Sequence, residues 1–132
     1  MRRRLALAVL PLLALAACQP APPPPASRAA TVVFFTEDSA GLDDNARSII
    51  EQAAAQAMQR PGAPVRVRGF TAPEAGTGAY NKALAATRAQ HVADHLAAAG
   101  VARDRIRIEP RGAVPYESYP TESRRVEIVI GS

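Results

Sequence analysis

Asn81 and Arg88 are the two residues of this chain whose types and spacing best suit binding chemistry. From Tyr80 to about Ala99 the apolar residues recur at helical spacing. At about 100° per residue, two positions seven apart fall within about 20° of one another, two turns apart on one helical face. Just ahead of them, Pro73, Gly76 and Gly78 keep a short stretch out of regular structure. Before that, Val65 and Val67 alternate with Arg66 and Arg68, the period of a half-buried strand that Gly69 closes. A strand feeding a helix through such a loop leaves free N–H groups and the positive dipole end beside the loop. An amide and a guanidinium facing that loop suit a ligand bearing carboxylates. On periodicity alone, Arg88 falls at the edge of the helix's apolar face. A surface arginine with a buried stem is therefore the competing reading.

Other reactive groups lead less far. His91 and His95 are four apart on the same helix, a spacing that can serve a metal. No third ligand stands at a fitting position, so a solvated helix face is expected, with no metal and no cofactor. The single cysteine, Cys18, excludes an internal disulfide. No G-x-S-x-G elbow occurs, and no motif places a histidine beside a serine, so the chain reads as a binding protein rather than an enzyme.

The elements that must hold Asn81 and Arg88 follow in chain order. Thr31 to Phe35 is β-branched and aromatic, a buried strand. After the loop Thr36 to Leu42, Asp43 is an N-cap. Ala46, Ile49, Ile50, Ala53, Ala54 and Ala57 then mark a helix that Arg60-Pro61-Gly62 stops. In the second helix Ala85, Ala89, Val92, Ala93 and Leu96 form the core face, and Gly100 caps its end. Arg105 to Glu109 alternates as a third strand, Pro110 to Ser123 reads as a loop, and Arg125 to Ile130 is the last strand. The order is β-α-β-α-β-β. The last two strands have no crossover helix between them, so the sheet is mixed. An α+β sandwich with both helices on one face of the sheet is expected.

These pieces resemble the OmpA-like (OmpA C-terminal, Pal-like) peptidoglycan-associated domain. That family's signature is roughly G-H-T-D, a glycine loop, Y-N, then L-S-x-x-R-A. Here it stands as Gly69-Phe70-Thr71-Ala72, the loop, Tyr80-Asn81, then Leu84 to Ala89 with Arg88 inside it. The family's closing N-R-R-V-E-I appears as Ser123-Arg124-Arg125-Val126-Glu127-Ile128. The resemblance implies non-covalent binding of peptidoglycan through the diaminopimelate of its stem peptide. The helix arginine would hold a carboxylate and the family's Asp an ammonium. By position it implicates Arg88, Asn81, Thr71, Phe70, Ala72 and Arg124. At Ala72 the family's acid is missing. Glu74, in a loop one residue longer than usual, or backbone carbonyls around Ala72 are the candidate replacements. The alternative is a domain of the same fold that has lost wall binding and contacts periplasmic envelope proteins.

The N-terminus carries its own signals. Met1-Arg2-Arg3-Arg4 and the apolar run Leu5 to Leu15 form a signal peptide, residues 1–17. Leu15-Ala16-Ala17-Cys18 resembles the bacterial lipoprotein processing box, which implies cleavage before Cys18 and acylation there, palmitate included. Residues 18–30 are then a proline-rich tether, reaching roughly 35–40 Å if extended. The domain is residues 31–132. By the same resemblance, Gln19 behind the cysteine favours an outer-membrane anchor with the domain in the periplasm. Three of the 16 basic residues lie in the signal, leaving 13 against 12 acidic ones. The basic pI is thus no sign of nucleic-acid binding.

Overall fold

Four strands and two helices arise from two alternating patterns in the computed structural model, which describes residues 30–131. The strands are β1 (Thr31–Phe34), β2 (Val65–Thr71), β3 (Ile106–Ala113) and β4 (Arg125–Ile130), and the helices are α1 (Asp44–Met58) and α2 (Gly78–Ala98). The expected signal peptide, Cys18 and nearly all of the tether lie outside the described residues.

The sheet order is β1-β4-β2-β3. β4 runs antiparallel to both β1 and β2, and β2 runs parallel to β3. Val33, Val65, Val67, Val126 and Ile128 point to one face and are buried there beneath Ile50 of α1 and Leu96 of α2. Truncating Ile50 or Leu96 to Ala would cost about 2–5 kcal/mol, the range for a large buried aliphatic side chain. The opposite face is wet. Arg66 meets Glu109 at 2.9 Å, and Glu127 is shared by Arg68 at 3.3 Å and Arg125 at 3.0 Å. This two-faced character is what the valine–arginine alternation of β2 encodes.

Each helix begins and ends for a local reason. Asp43 accepts the Ala46 N–H at 2.7 Å and so caps α1. Arg105 holds the other end, donating to the Ala57 and Arg60 carbonyls at 2.9 and 2.8 Å. Thr77 caps α2 through the Tyr80 N–H at 3.2 Å. At its C-terminus Gly100 adopts φ +110°, the left-handed conformation that lets its N–H return to Ala97 and lets Val101 reach Leu96.

Two strands run past the ends expected from the sequence. β2 continues through Phe70 and Thr71 rather than stopping at Gly69. β3 runs through Pro110 to Ala113, in a stretch expected to be loop. β3 is an edge strand, where a proline's missing N–H costs no ladder bond. A register shift beside Gly69 and Phe70 absorbs the extra residue Arg111.

Candidate functional site

Gly69 sets how closely α2 lies on the sheet. A methyl group on it would run into the main-chain carbonyl of Ala85. Strand alternation places Thr71 on the same face as Gly69, and Asn81 lies one helical turn before Ala85. The end of β2 and the first turn of α2 therefore meet around Thr71 and Asn81, both buried. The Asn81 Nδ2 donates to the Gly76 carbonyl at 3.3 Å and so ties down the glycine loop. The Thr71 Oγ1 and the Asn81 Oδ1 have no hydrogen-bond partner among the described residues.

Arg88, two turns further along α2, is 1% exposed, so the competing picture of a solvated arginine does not hold. Its Nε donates to the Ser39 carbonyl at 2.7 Å, Nη1 to Phe70 at 3.1 Å and Nη2 to Thr36 at 3.0 Å. The guanidinium also lies over the Phe35 ring, 5.2 Å from its centroid. A guanidinium has five N–H groups. One N–H on each terminal nitrogen is therefore left over, enough for the two oxygens of one carboxylate. All three acceptors are neutral carbonyls. Among the described residues no carboxylate pairs with Arg88. Burial, and then repulsion from Arg124, pull its ionisation below the ordinary arginine value. The site is short of negative charge.

Around it stand groups from four segments. Arg124, just ahead of β4, is within electrostatic reach of Arg88 and Glu74, and its Nη2 is 3.9 Å from Glu37. Glu74, on a short 3-10 turn over Pro73–Ala75, accepts the Tyr116 hydroxyl at 2.5 Å. That hydrogen bond is the main cause of its lowered pKa, and it raises that of Tyr116. Asp38, in the loop between β1 and α1, accepts the Tyr80 hydroxyl at 3.2 Å and has φ +48°. Burial, and then Asp38, raise the pKa of Tyr80. Asp38 also acts electrostatically on Arg88.

The residues singled out in the sequence divide accordingly. Arg88, Asn81, Thr71 and Arg124 supply polar atoms to this end of the sheet. Phe70 takes a different part from the one its position implied. Its carbonyl holds Arg88, but its ring points to the wet face, between Arg125 at 4.4 Å and Arg68 at 5.6 Å. The alternation Arg66, Arg68, Phe70 already carried that signal. Ala72 is buried and offers only a methyl group. The carbonyls of Phe70, Thr71 and Ala72 each already accept a donor, from Arg88, Val114 and Ala75. Asp38 was not foreseen, because only the fold brings its loop to Arg88 and Tyr80. His91 faces the same loop, its Nδ1 2.7 Å from the Ala40 carbonyl, and His95 meets Glu51 at 3.2 Å. Among the described residues no cluster of three metal-ligating side chains forms.

A mixed four-stranded sheet with two helices on one face, carrying a buried cationic site at the loop end, defines the class of domain. The chain belongs to the OmpA family, whose model matches residues 34–127. It is 39% identical over 82 residues to "Outer membrane protein 40" of Porphyromonas gingivalis, a match covering 62% of this chain and 21% of that protein. It is 36% identical over 104 residues to "Peptidoglycan-binding protein ArfA" of Mycobacterium tuberculosis, covering 74% of this chain and 32% of that one. The chain thus spans a third or less of the length of these relatives. Among solved structures, the peptidoglycan-associated lipoprotein from Burkholderia pseudomallei superposes with a TM-score of 0.69 at 25% identity, covering 76% of this chain and 89% of that one. The C-terminal domain of Helicobacter pylori MotB shares the fold, with a TM-score of 0.69 at 24% identity over 79% of this chain and 84% of that one.

Proposed function

We propose that this domain binds peptidoglycan non-covalently by gripping the diaminopimelate of the stem peptide, with Arg88 on its side-chain carboxylate and Asp38 on the neighbouring ammonium. One observation carries the reading: Arg88 is buried and charged, yet among the described residues its hydrogen bonds go only to carbonyls. An uncompensated buried charge is costly. A ligand carboxylate that takes the two remaining N–H groups removes that cost. Arg124 adds a second positive charge nearby.

The ammonium needs an acid other than the missing one at Ala72. Glu74 is engaged by Tyr116 and lies beside Arg124, an arrangement that already satisfies its charge. Among the described residues the Asp38 carboxylate has only the Tyr80 hydroxyl as a side-chain partner, and its loop is fixed to Arg88 through the Thr36 and Ser39 carbonyls. The names of the mycobacterial and Burkholderia relatives, peptidoglycan-binding and peptidoglycan-associated, support the polymer as ligand.

The remainder of the reading is architectural. Acylated Cys18 anchors the chain in the outer membrane, residues 18–30 span part of the periplasm, and the domain links membrane to wall. Sedimentation with purified sacculi tests the binding. The wild type co-sediments, Arg88→Lys loses about tenfold in affinity because an ammonium cannot reproduce the guanidinium fork, and Asp38→Asn also weakens binding. Unchanged sedimentation of both variants would overturn the assignment. Replacing Cys18 with Ser releases the protein from the membrane fraction if the anchor is as described.

A further inference from the structure

The face of the sheet turned away from the helices carries more positive charge than its own acids can match. Arg66, Arg68 and Arg125 meet Glu109 and Glu127 there, Arg107 lies opposite Arg66 in the β2–β3 register, and Arg111 reaches Glu109 at 3.4 Å. Two carboxylates thus serve four guanidiniums, Glu109 those of Arg66 and Arg111, Glu127 those of Arg68 and Arg125. Among the described residues Arg107 has no acid within ion-pair distance. We propose that this face docks on an anionic phospholipid surface and sets the domain against the membrane with its two helices turned outward. The proposal rests on the lipid-anchor reading and adds an electrostatic contact to it.

Charge and shape select the partner. Residues 30–131 hold twelve basic and twelve acidic side chains. Five arginines and two glutamates stand on this face, which leaves seven basic and ten acidic groups for the rest of the domain. A domain without net charge is therefore polarised, and one side of it suits a negative surface. The two glutamates are the more covered partners, 25% and 18% exposed, whereas Arg66, Arg68 and Arg111 are 34%, 31% and 44% exposed. The Phe70 ring between Arg125 and Arg68 fixes both guanidiniums in place before any ligand arrives. Guanidinium forks match phosphate oxygens. Phe34, 55% exposed, lies on the same face opposite Arg125, and half-buried Val32 and Val129 lie opposite Glu127 and Arg66. Apolar groups among cationic ones suit the headgroup boundary of a bilayer. Four strands spread these residues over roughly 15 Å. That is a broad face, whereas an acidic peptide is held in a groove or along a strand edge.

The point where the chain enters the domain favours the same surface. Thr31 opens β1, an edge strand of the sheet, and Val32 and Phe34 of that strand belong to the arginine face. The stretch from Cys18 to Thr31 reaches at most roughly 35–40 Å, so an acylated Cys18 keeps the face within that distance of the headgroups. Tethering turns docking into an intramolecular step, in which a weak contact is populated through a high effective concentration. The attraction fades within a Debye length, about 8 Å at physiological ionic strength, so the contact is close and sensitive to salt. Arg88 projects from α2, which packs on the other face of the sheet. Docking therefore leaves the Arg88 site uncovered, and the membrane and the wall can be held at once.

The test uses the chain from position 18 onward with Cys18→Ser, so that no acyl chain contributes, and phosphatidylcholine vesicles with and without phosphatidylglycerol. Co-sedimentation is expected with the anionic vesicles alone, and added salt should reverse it. Arg107→Glu with Arg111→Glu should weaken that binding at least about tenfold. Arg47→Glu with Arg60→Glu changes net charge equally but lies on and just beyond α1, away from this face, and should leave binding as it was. Circular dichroism shows that both double variants are folded. The chain has no tryptophan, so Phe34→Trp gives a single indole whose emission should shift to the blue on the anionic vesicles. No binding to those vesicles at low salt, equal losses in the two double variants, or an unshifted indole overturns the proposal. Binding of poly-L-glutamate without binding of vesicles also overturns it and assigns the face to an acidic protein segment. Failure of the anchor reading looks different: Cys18→Ser then leaves the fractionation of cells unchanged, whatever the vesicles show.

Discussion

The Nε of Arg88 lies 2.7 Å from the carbonyl oxygen of Ser39, across 49 residues of sequence. The side chain proposed to hold the ligand carboxylate is therefore also the clamp of the β1–α1 loop. The proposed binding role and local stability are thus joined in one residue.

That joining gives the first prediction. Arg88→Ala leaves the carbonyls of Thr36, Ser39 and Phe70 without their donor and the Phe35 ring without its cover. A loss of about 2–4 kcal/mol is expected, the scale of losing hydrogen bonds from a charged donor. Urea unfolding measures it. A change below about 0.5 kcal/mol would show that the loop is held by other contacts.

The approach of α2 to the sheet gives the second. Gly69→Ala drives a methyl group into the Ala85 backbone, which no rotamer change relieves. Overpacking of this kind costs about 1–3 kcal/mol or more. Thermal unfolding should register it. In the same variant the Thr71–Asn81 region must shift, so binding to sacculi falls as well.

Ala72 gives the third. It is buried at the end of β2, beside the Phe70 carbonyl that Arg88 holds. Ala72→Asp places a carboxylate where family members carry one and should tighten binding to diaminopimelate peptides by about 1–3 kcal/mol, the scale of one charged hydrogen bond. In that background Asp38→Asn matters less, because the ammonium has a second acid. Calorimetric titration of the four combinations checks both statements, and a full Asp38→Asn effect in the Ala72→Asp background would count against Asp38 as the acid.

Acid sensitivity gives the fourth. The Glu122 carboxylate accepts the main-chain N–H groups of Glu117, Ser118 and Tyr119 at 3.0, 3.1 and 2.9 Å. Those bonds hold its pKa below the ordinary 4.5, with Glu117 and then Tyr119 contributing most. A carboxylate with a lowered folded-state pKa stabilises the fold above its unfolded value, and that stabilisation is lost as pH falls through the folded one. Melting temperature should therefore fall as pH drops below 4.5, and Glu122→Gln should flatten that fall while lowering stability at neutral pH. An unaltered pH profile in the variant would show that other carboxylates set the acid limb.

Much of this arrangement was legible in the residues. The valine–arginine alternation marked β2 and its two faces, and the alanine-rich helical periodicity marked both core faces. The spacing of Asn81 and Arg88 put them on one face, where both are buried. Three features were not legible, each for a physical reason. Pro110 reads as a strand breaker until β3 is known to be an edge. The depth of Arg88 depends on three carbonyls, two of which come from a loop some fifty residues away. Asp38 gains meaning only when that loop meets Tyr80, a pairing set by sheet order rather than by local sequence.

The central claim, that Arg88 reads the side-chain carboxylate of diaminopimelate, is tested most directly by calorimetric comparison of two stem peptides. One is L-Ala-γ-D-Glu-meso-diaminopimelate, and the other carries L-lysine in the third position, which removes only that carboxylate. The wild type is predicted to bind the diaminopimelate peptide at least about tenfold more tightly, a difference near 1.4 kcal/mol, and Arg88→Lys should erase most of the preference. Equal affinity of the wild type for the two peptides would contradict the account.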